Sequence, residues 1–177
     1  MAGLFSVATF RQIGTGATPQ NLFTIENIDS TKLVYIRRLI VQMDATAVLT
    51  SVMPLVKVSR ATGVPSGGTT LNKCLFDTAN SSNANTICRG STSSDGGANS
   101  GPTATAGDVL WQQYCMRLHT AVGQVLAPDN ISLPSLVDTQ NFILRQNQAL
   151  LVQVVASAGS SNPSTNHWFV QCVWEEN

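Results

Sequence analysis

The sequence has little charge. Aspartate, glutamate, lysine and arginine make up 11% of its 177 residues, where a typical soluble domain carries about 25%. Ten basic side chains balance ten acidic ones. The chain therefore lacks the positive excess that draws a protein to phosphate backbones, and direct binding of nucleic acid is not expected. Disorder does not follow from the low charge, because disordered chains combine high charge with low hydrophobicity and 43% of these residues are hydrophobic. Long apolar runs are missing as well. The most apolar stretch, residues 149–158, contains Gln153 and Ser157 and has about half the ~20 residues of a membrane-spanning helix, so no membrane is expected as a partner. Residues 1–13 have no basic segment and are interrupted by Ser6, Thr9, Arg11 and Gln12; no signal peptide is expected there.

Cysteine is sparse and unclustered. Cys74, Cys88, Cys115 and Cys172 form no C-x-x-C pair, which excludes zinc-ribbon and thioredoxin-type readings. Free buried thiols are expected, with a Cys74–Cys88 bridge as the alternative that sequence alone does not decide. Asn80-Ser81-Ser82 and Asn130-Ile131-Ser132 match the glycosylation sequon and are read as coincidences in an Asn/Ser-rich chain.

Groups for catalysis are equally few. The imidazoles are His119 and His167. Cys115 and His119 would share one side of a strand, but Arg117 stands between them on that side and no orienting partner is evident. His167 falls on the polar side of the last strand. The carboxylates Glu26, Asp29, Asp44, Asp77, Asp95, Asp108, Asp129, Asp138, Glu175 and Glu176 are mostly turn residues, where Asp caps backbone amides. A glycosidase needs two of them across a cleft. Gly14-Thr15-Gly16-Ala17 lacks the lysine of a phosphate loop, and neither G-x-S-x-G nor H-E-x-x-H occurs. Trp111, Trp168 and Trp174 are assigned to core packing in preference to a sugar-stacking platform. The expectation is a protein that is not an enzyme, with no catalytic residue, cofactor or metal.

What the sequence does have is period-two alternation. A chain of this length buries roughly 70% of its unfolded surface in one core, and a single domain over 1–177 is expected. Strands are expected at 5–13, 22–27, 34–43, 55–60, 108–118, 142–145, 149–157 and through the final run, each bounded by Gly, Pro, Asn or Asp. Residues 34–43 are apolar on both faces except at the arginines and read as a central strand. In 108–118, Leu110, Tyr114, Met116 and Leu118 oppose Gln113 and Arg117. In 149–157, Leu150, Val152, Val154 and Ala156 oppose Gln153 and Ser157. At the end, Trp168, Val170, Cys172 and Trp174 oppose His167, Gln171 and Glu175. A short helix is considered only near 134–141. Residues 61–70 read as a turn-rich connection, and residues 78–108, rich in Ser, Thr, Asn and Gly, as one long surface excursion suited to contact. The resulting fold class is all-β, a jelly-roll-like β-sandwich of about eight antiparallel strands with long loops.

The segment Asn21-Leu22-Phe23-Thr24-Ile25-Glu26-Asn27, the run from 34 to 43 and the ending His167-Trp168-Phe169-Val170-Gln171-Cys172-Val173-Trp174 resemble the small all-β structural proteins of tailed bacteriophages. The resemblance spans most of the chain through pattern and composition. It implies a decoration, or cement, protein of the virion, made in the host cytoplasm. Such a protein sits on the capsid surface, self-associates as a homotrimer and clamps neighbouring subunits of the major capsid protein. Contact residues are then expected in the N-terminal run, at Leu4, Phe5 and Phe10, and in the long excursion, at Asp95 and Asn99. Residues 1–15 act either as an extended arm or as the first strand of the chain's own sheet. A carbohydrate- or receptor-binding module of a phage tail or fibre is the alternative.

Overall fold

The computed structural model describes residues 3–12, 18–45, 54–76, 84–91, 101–114, 130–132, 142–155 and 166–177. Among these there are twelve strands and no helix: β1 (Gly3–Gln12), β2 (Gln20–Asn27), β3 (Val34–Ala45), β4 (Leu55–Gly67), β5 (Thr69–Thr70), β6 (Cys74–Leu75), β7 (Thr86–Gly90), β8 (Pro102–Tyr114), β9 (Asn130–Ser132), β10 (Phe142–Leu144), β11 (Gln148–Val155) and β12 (Asn166–Glu176). They form two antiparallel sheets packed face to face. The first runs β10-β3-β12-β1-β6, with β9 beside β10 on the same edge of β3; the second runs β5-β7-β2-β11-β4-β8.

The eight strands expected from periodicity are β1, β2, β3, β4, β8, β10, β11 and β12. Their pairing is that of a long hairpin wrapped round on itself. The first pairs with the last (β1 with β12), the second with the second last (β2 with β11), then β3 with β10 and β4 with β8. Two further ladders, β3 with β12 and β4 with β11, join the wrapped hairpin into two sheets.

Alternation decides which side chains fill the space between them. From the first sheet come Phe5, Val7, Ile36, Leu39, Val41, Met43, Trp168, Val170, Cys172 and Trp174; from the second come Leu22, Phe23, Ile25, Val56, Val58, Cys88, Leu150, Val152 and Val154. Phe5 stacks on Trp174 with ring centroids 5.7 Å apart. The tryptophans of β12 are thus core residues, as the alternation indicated. β3 is a central strand, paired along both of its edges.

Polar groups tie the two sheets together at their margins. Buried Asn27, at the end of β2, donates through Nδ2 to the carbonyls of Lys32 and Leu144, both at 2.9 Å, and accepts from the Asp29 amide. It fixes the β2–β3 connection against β10 in the opposite sheet. Glu176, at the end of β12, accepts from the Asn85 amide ahead of β7 (2.9 Å to Oε2) and from Trp174 Nε1 (3.1 Å). Thr9 Oγ1 of β1 donates to the Ser91 carbonyl and accepts from the Ser91 amide, just beyond β7. A Cβ on Gly90 would lie 2.5 Å from that same hydroxyl, so this corner admits only glycine.

Several expectations need correction. Residues 78–108 are not one surface excursion: they include β7, whose Thr86, Cys88 and Gly90 are buried, and the start of β8 at buried Pro102. The span 61–70 is strand, continuing β4 to Gly67 and adding β5. Leu110 has no partner on β4, since Trp111 pairs with Val58 and Val109 with Ser59. This bulge turns both Leu110 and Trp111 towards the core and leaves Tyr114 half exposed. Gln153 is not on a solvated face, because β11 is buried on both sides. The possible helix at 134–141, the glycines at 14 and 16 and residues 115–118 lie outside the described residues.

The second burial of β11 has a specific cause. β8 lies at the far edge of its sheet, separated from β2 by β11 and β4, yet Asn21 Nδ2 on β2 donates to the carbonyls of Pro102 (2.9 Å) and Ala104 (3.1 Å). The distal parts of β4 and β8, residues 61–67 and 102–106, must therefore fold back across β11. They cross on the outer side, where Thr24, Ser59, Ala149 and Leu151 point away from the core and are nonetheless inaccessible to solvent. Bulges at Ser59/Ala61 and Thr62/Ser66 supply the bend, as extra residues in one strand do. Among the described residues, this two-stranded ribbon is the outermost layer on that side.

Removing an indole from the inter-sheet layer leaves a large cavity. Trp174→Ala is expected to lower the unfolding free energy by about 3–5 kcal/mol in urea titration. A loss below about 1 kcal/mol would show that the inter-sheet layer is not the main source of stability.

Candidate interaction surface

β1 alternates without exception. Phe5, Val7, Thr9 and Arg11 face the core, and Leu4, Ser6, Ala8 and Phe10 face out. The N-terminal run is therefore the first strand of the chain's own sheet, paired with β12 from Gly3 to Gln12. Phe5, expected as a contact residue, is only 3% exposed and belongs to the core. Leu4 and Phe10 do face outwards. Asp95 and Asn99 lie outside the described residues.

Around Leu4 and Phe10 the outer face of the first sheet has an apolar, aromatic character. Leu4, 39% exposed, accepts a backbone hydrogen bond from Phe76, itself 60% exposed. Cys74, two residues earlier and opposite Ser6, is exposed on the same side. Phe10 pairs with Phe169 across the β1–β12 ladder and packs on the His167 ring at 4.9 Å. Val173 faces the same way. Beyond it, Arg37 pairs with Glu175 and lies over the Tyr35 ring, 5.4 Å from its centroid. Period two in β1 and β12 predicted this face, but Phe76 gave no sequence signal because it follows a strand of only two residues.

Titratable groups are spread out. Asp29 organises a turn, accepting from the Thr31 amide and hydroxyl and from the Lys32 amide, and those bonds hold its carboxyl below its ordinary value. Glu26 points outwards from β2 beneath the ribbon; burial raises its carboxyl, and Arg89 on β7 partly offsets this. Arg11 is buried at the sandwich margin, donating to the Asn21 carbonyl and to Gln20, and burial lowers its ordinary value. Among the described residues no three His, Cys, Asp or Glu side chains assemble into a metal-binding group. No family model, curated protein or solved structure matches the chain.

Cys74 on β6 of the first sheet is exposed, whereas Cys88 on β7 of the second points into the core; both are free thiols, as expected in preference to a bridge between them, but Cys74 is not buried. Burial pushes the Cys88 thiol up to about 12 and also raises that of Cys172 well above its ordinary value. Because the thiolate is the reactive form, a maleimide is expected to label Cys74 rapidly at neutral pH and to reach Cys88 and Cys172 only on denaturation, as read by peptide mapping. Equal labelling of all three would contradict the burial.

A second expectation concerns Glu26. Its raised folded-state value means that folding favours the protonated form. Its contribution to stability is thus complete below the unfolded-state value and is lost as pH rises through the folded one. The permanently neutral Glu26→Gln should melt higher than wild type at pH 7 and lose that advantage towards about pH 4, near the unfolded carboxyl value. No gain at pH 7 would mean that attraction by Arg89 outweighs burial.

Proposed function

We propose that this chain is a structural virion protein of the decoration kind, which binds the outside of an assembled phage head and stabilises contacts between major capsid subunits. The observation that carries the reading is the pairing order: first strand with last, second with second last. It supports a jelly roll, an architecture common to viral capsid and lectin domains. Fold alone does not fix function, and two features of this chain narrow it. Its surface is poor in charge, so desolvating it against another protein is comparatively cheap. Its first sheet also presents Leu4, Phe10, Phe169 and Phe76 outwards on a rigid sandwich. A cement subunit touching two or three lattice neighbours needs only modest individual contacts, because the later ones become intramolecular; a homotrimer multiplies them again.

A carbohydrate- or receptor-binding module is the second reading, favoured by the same outward aromatic side chains, since rings stack on sugars as well as on proteins.

Light scattering after size exclusion, followed by titration onto expanded, undecorated heads, separates these readings. The cement role predicts a trimer, saturable binding and a higher capsid disruption temperature. Leu4→Ser and Phe76→Ser should weaken binding while changing stability by no more than about 0.5 kcal/mol, as is usual for surface positions. A monomer that ignores heads would sink the proposal, and glycan-array binding by that monomer would favour the alternative.

A further inference from the structure

The ribbon that crosses the outer face of the second sheet rests on a poorly satisfied seat. Beneath it Thr24 Oγ1, Ser59 Oγ and Glu26 Oε2 are buried without a hydrogen-bond partner, and so is Arg89 Nε at its side. Buried polar groups are normally paired, and each exception favours a state in which water can reach it. The upper side of the ribbon is free. Thr62, Ser66, Thr103 and Thr105 are exposed, and Val64, at 67%, projects furthest of the large apolar side chains. No charged residue occurs in 61–72 or 101–107 to anchor it by ion pairs. At the far end it is fastened by Asn21, whose Nδ2 holds the Pro102 and Ala104 carbonyls and whose Oδ1 is itself held by Gln153 Nε2 at 2.7 Å. The chain then continues into β5, only two exposed residues on the edge of β7.

We infer that residues 61–70 and 101–107 form a strap that opens as a unit while the sandwich stays folded, with Asn21 as its catch. The β4–β8 ladder within the strap, Ala61 with Ala106, Thr62 with Thr105 and Ser66 with Thr103, survives the motion. What breaks is the Asn21 fastening and the β5–β7 pairing, as far as Leu71, which stays buried in the core with its amide on the Cys88 carbonyl. Gly67 and Gly68, with positive φ (61° and 63°), turn the ribbon into β5, and Gly68 approaches Gly90 and Pro102 so closely that a Cβ would lie 2.9 Å from their backbones, so the contact with Gly90 also breaks on opening. Opening gives the hydroxyls and the carboxylate back to water and uncovers a strip of the second sheet centred on Leu151 and Ala149. Low-stability units of this kind open well below the global unfolding free energy.

Thiol trapping tests this on the full chain. In a Cys74→Ser background, Thr24→Cys places a small thiol beneath the strap, and labelled sites are located by peptide mapping under native conditions. The introduced thiol should react at least tenfold faster than Cys172, which only global unfolding exposes. Adding Asn21→Ala should accelerate the introduced thiol severalfold further while leaving the Cys172 rate unchanged. If Thr24→Cys does not fold, Ser59→Cys gives the same comparison from β4. Labelling of the introduced thiol at the Cys172 rate, or equal acceleration of both by Asn21→Ala, would show that the ribbon opens only with the whole molecule and would overturn the inference.

Discussion

Everything in this molecule depends on two sheets burying their apolar faces against each other. A β-sheet with one apolar side is not stable alone, and here each sheet is the other's cover. Trp168 and Trp174 from β12 meet Phe23, Ile25 and Val152 from β2 and β11 in a single cluster. That mutual burial sets the register of every long strand, because a slip by one residue would put Phe5 and Trp174 into water and Leu4 and Glu175 into the core. It also explains why so few charges suffice: the ladders and the core specify the fold, and the surface need only stay polar.

The margins are where side-chain chemistry takes over from periodicity. Asn27, Glu176 and Thr9 each satisfy backbone groups of the opposite sheet, and each is itself almost wholly buried. A buried polar group is tolerated only with its partners present. These three residues therefore fix which ends of the two sheets meet, a role that apolar packing, being non-directional, does not fill.

Alternation made the principal strands legible. β12, β11 and β3 could be located and two of them given an inward face, because residues such as Val170 or Leu150 recur at every second position. The short strands were not legible, since two residues such as Cys74 and Leu75 carry no period, and β7 lies in a Ser/Thr/Asn-rich context that reads as loop although Cys88 is core. The ribbon escaped for a different reason. Gln153, Thr24 and Glu26 mark a face as solvated by composition, and only long-range folding back of β4 and β8 covers it. Of the contact residues, Leu4 and Phe10 follow from alternation. Phe5 was misassigned by grouping it with its neighbours when parity places it on the opposite side.

The two outer faces consequently differ in kind. The outer side of the first sheet carries aromatic and aliphatic side chains with the Arg37–Glu175 pair beside them, and it is available without rearrangement. The outer side of the second sheet sets Ala149 and Leu151 among the polar Thr24, Glu26 and Ser59, and its own ribbon occupies it. Polar groups left without partners are worth more to a protein once something can reach them than while they remain buried. A subunit working by adhesion through multiple weak contacts needs one surface that is ready at encounter and gains from a second that becomes available only after it is held in place. If the chain works by adhesion as proposed, the first sheet has the properties of the former, and the second sheet gains those of the latter only through the inferred opening of the strap.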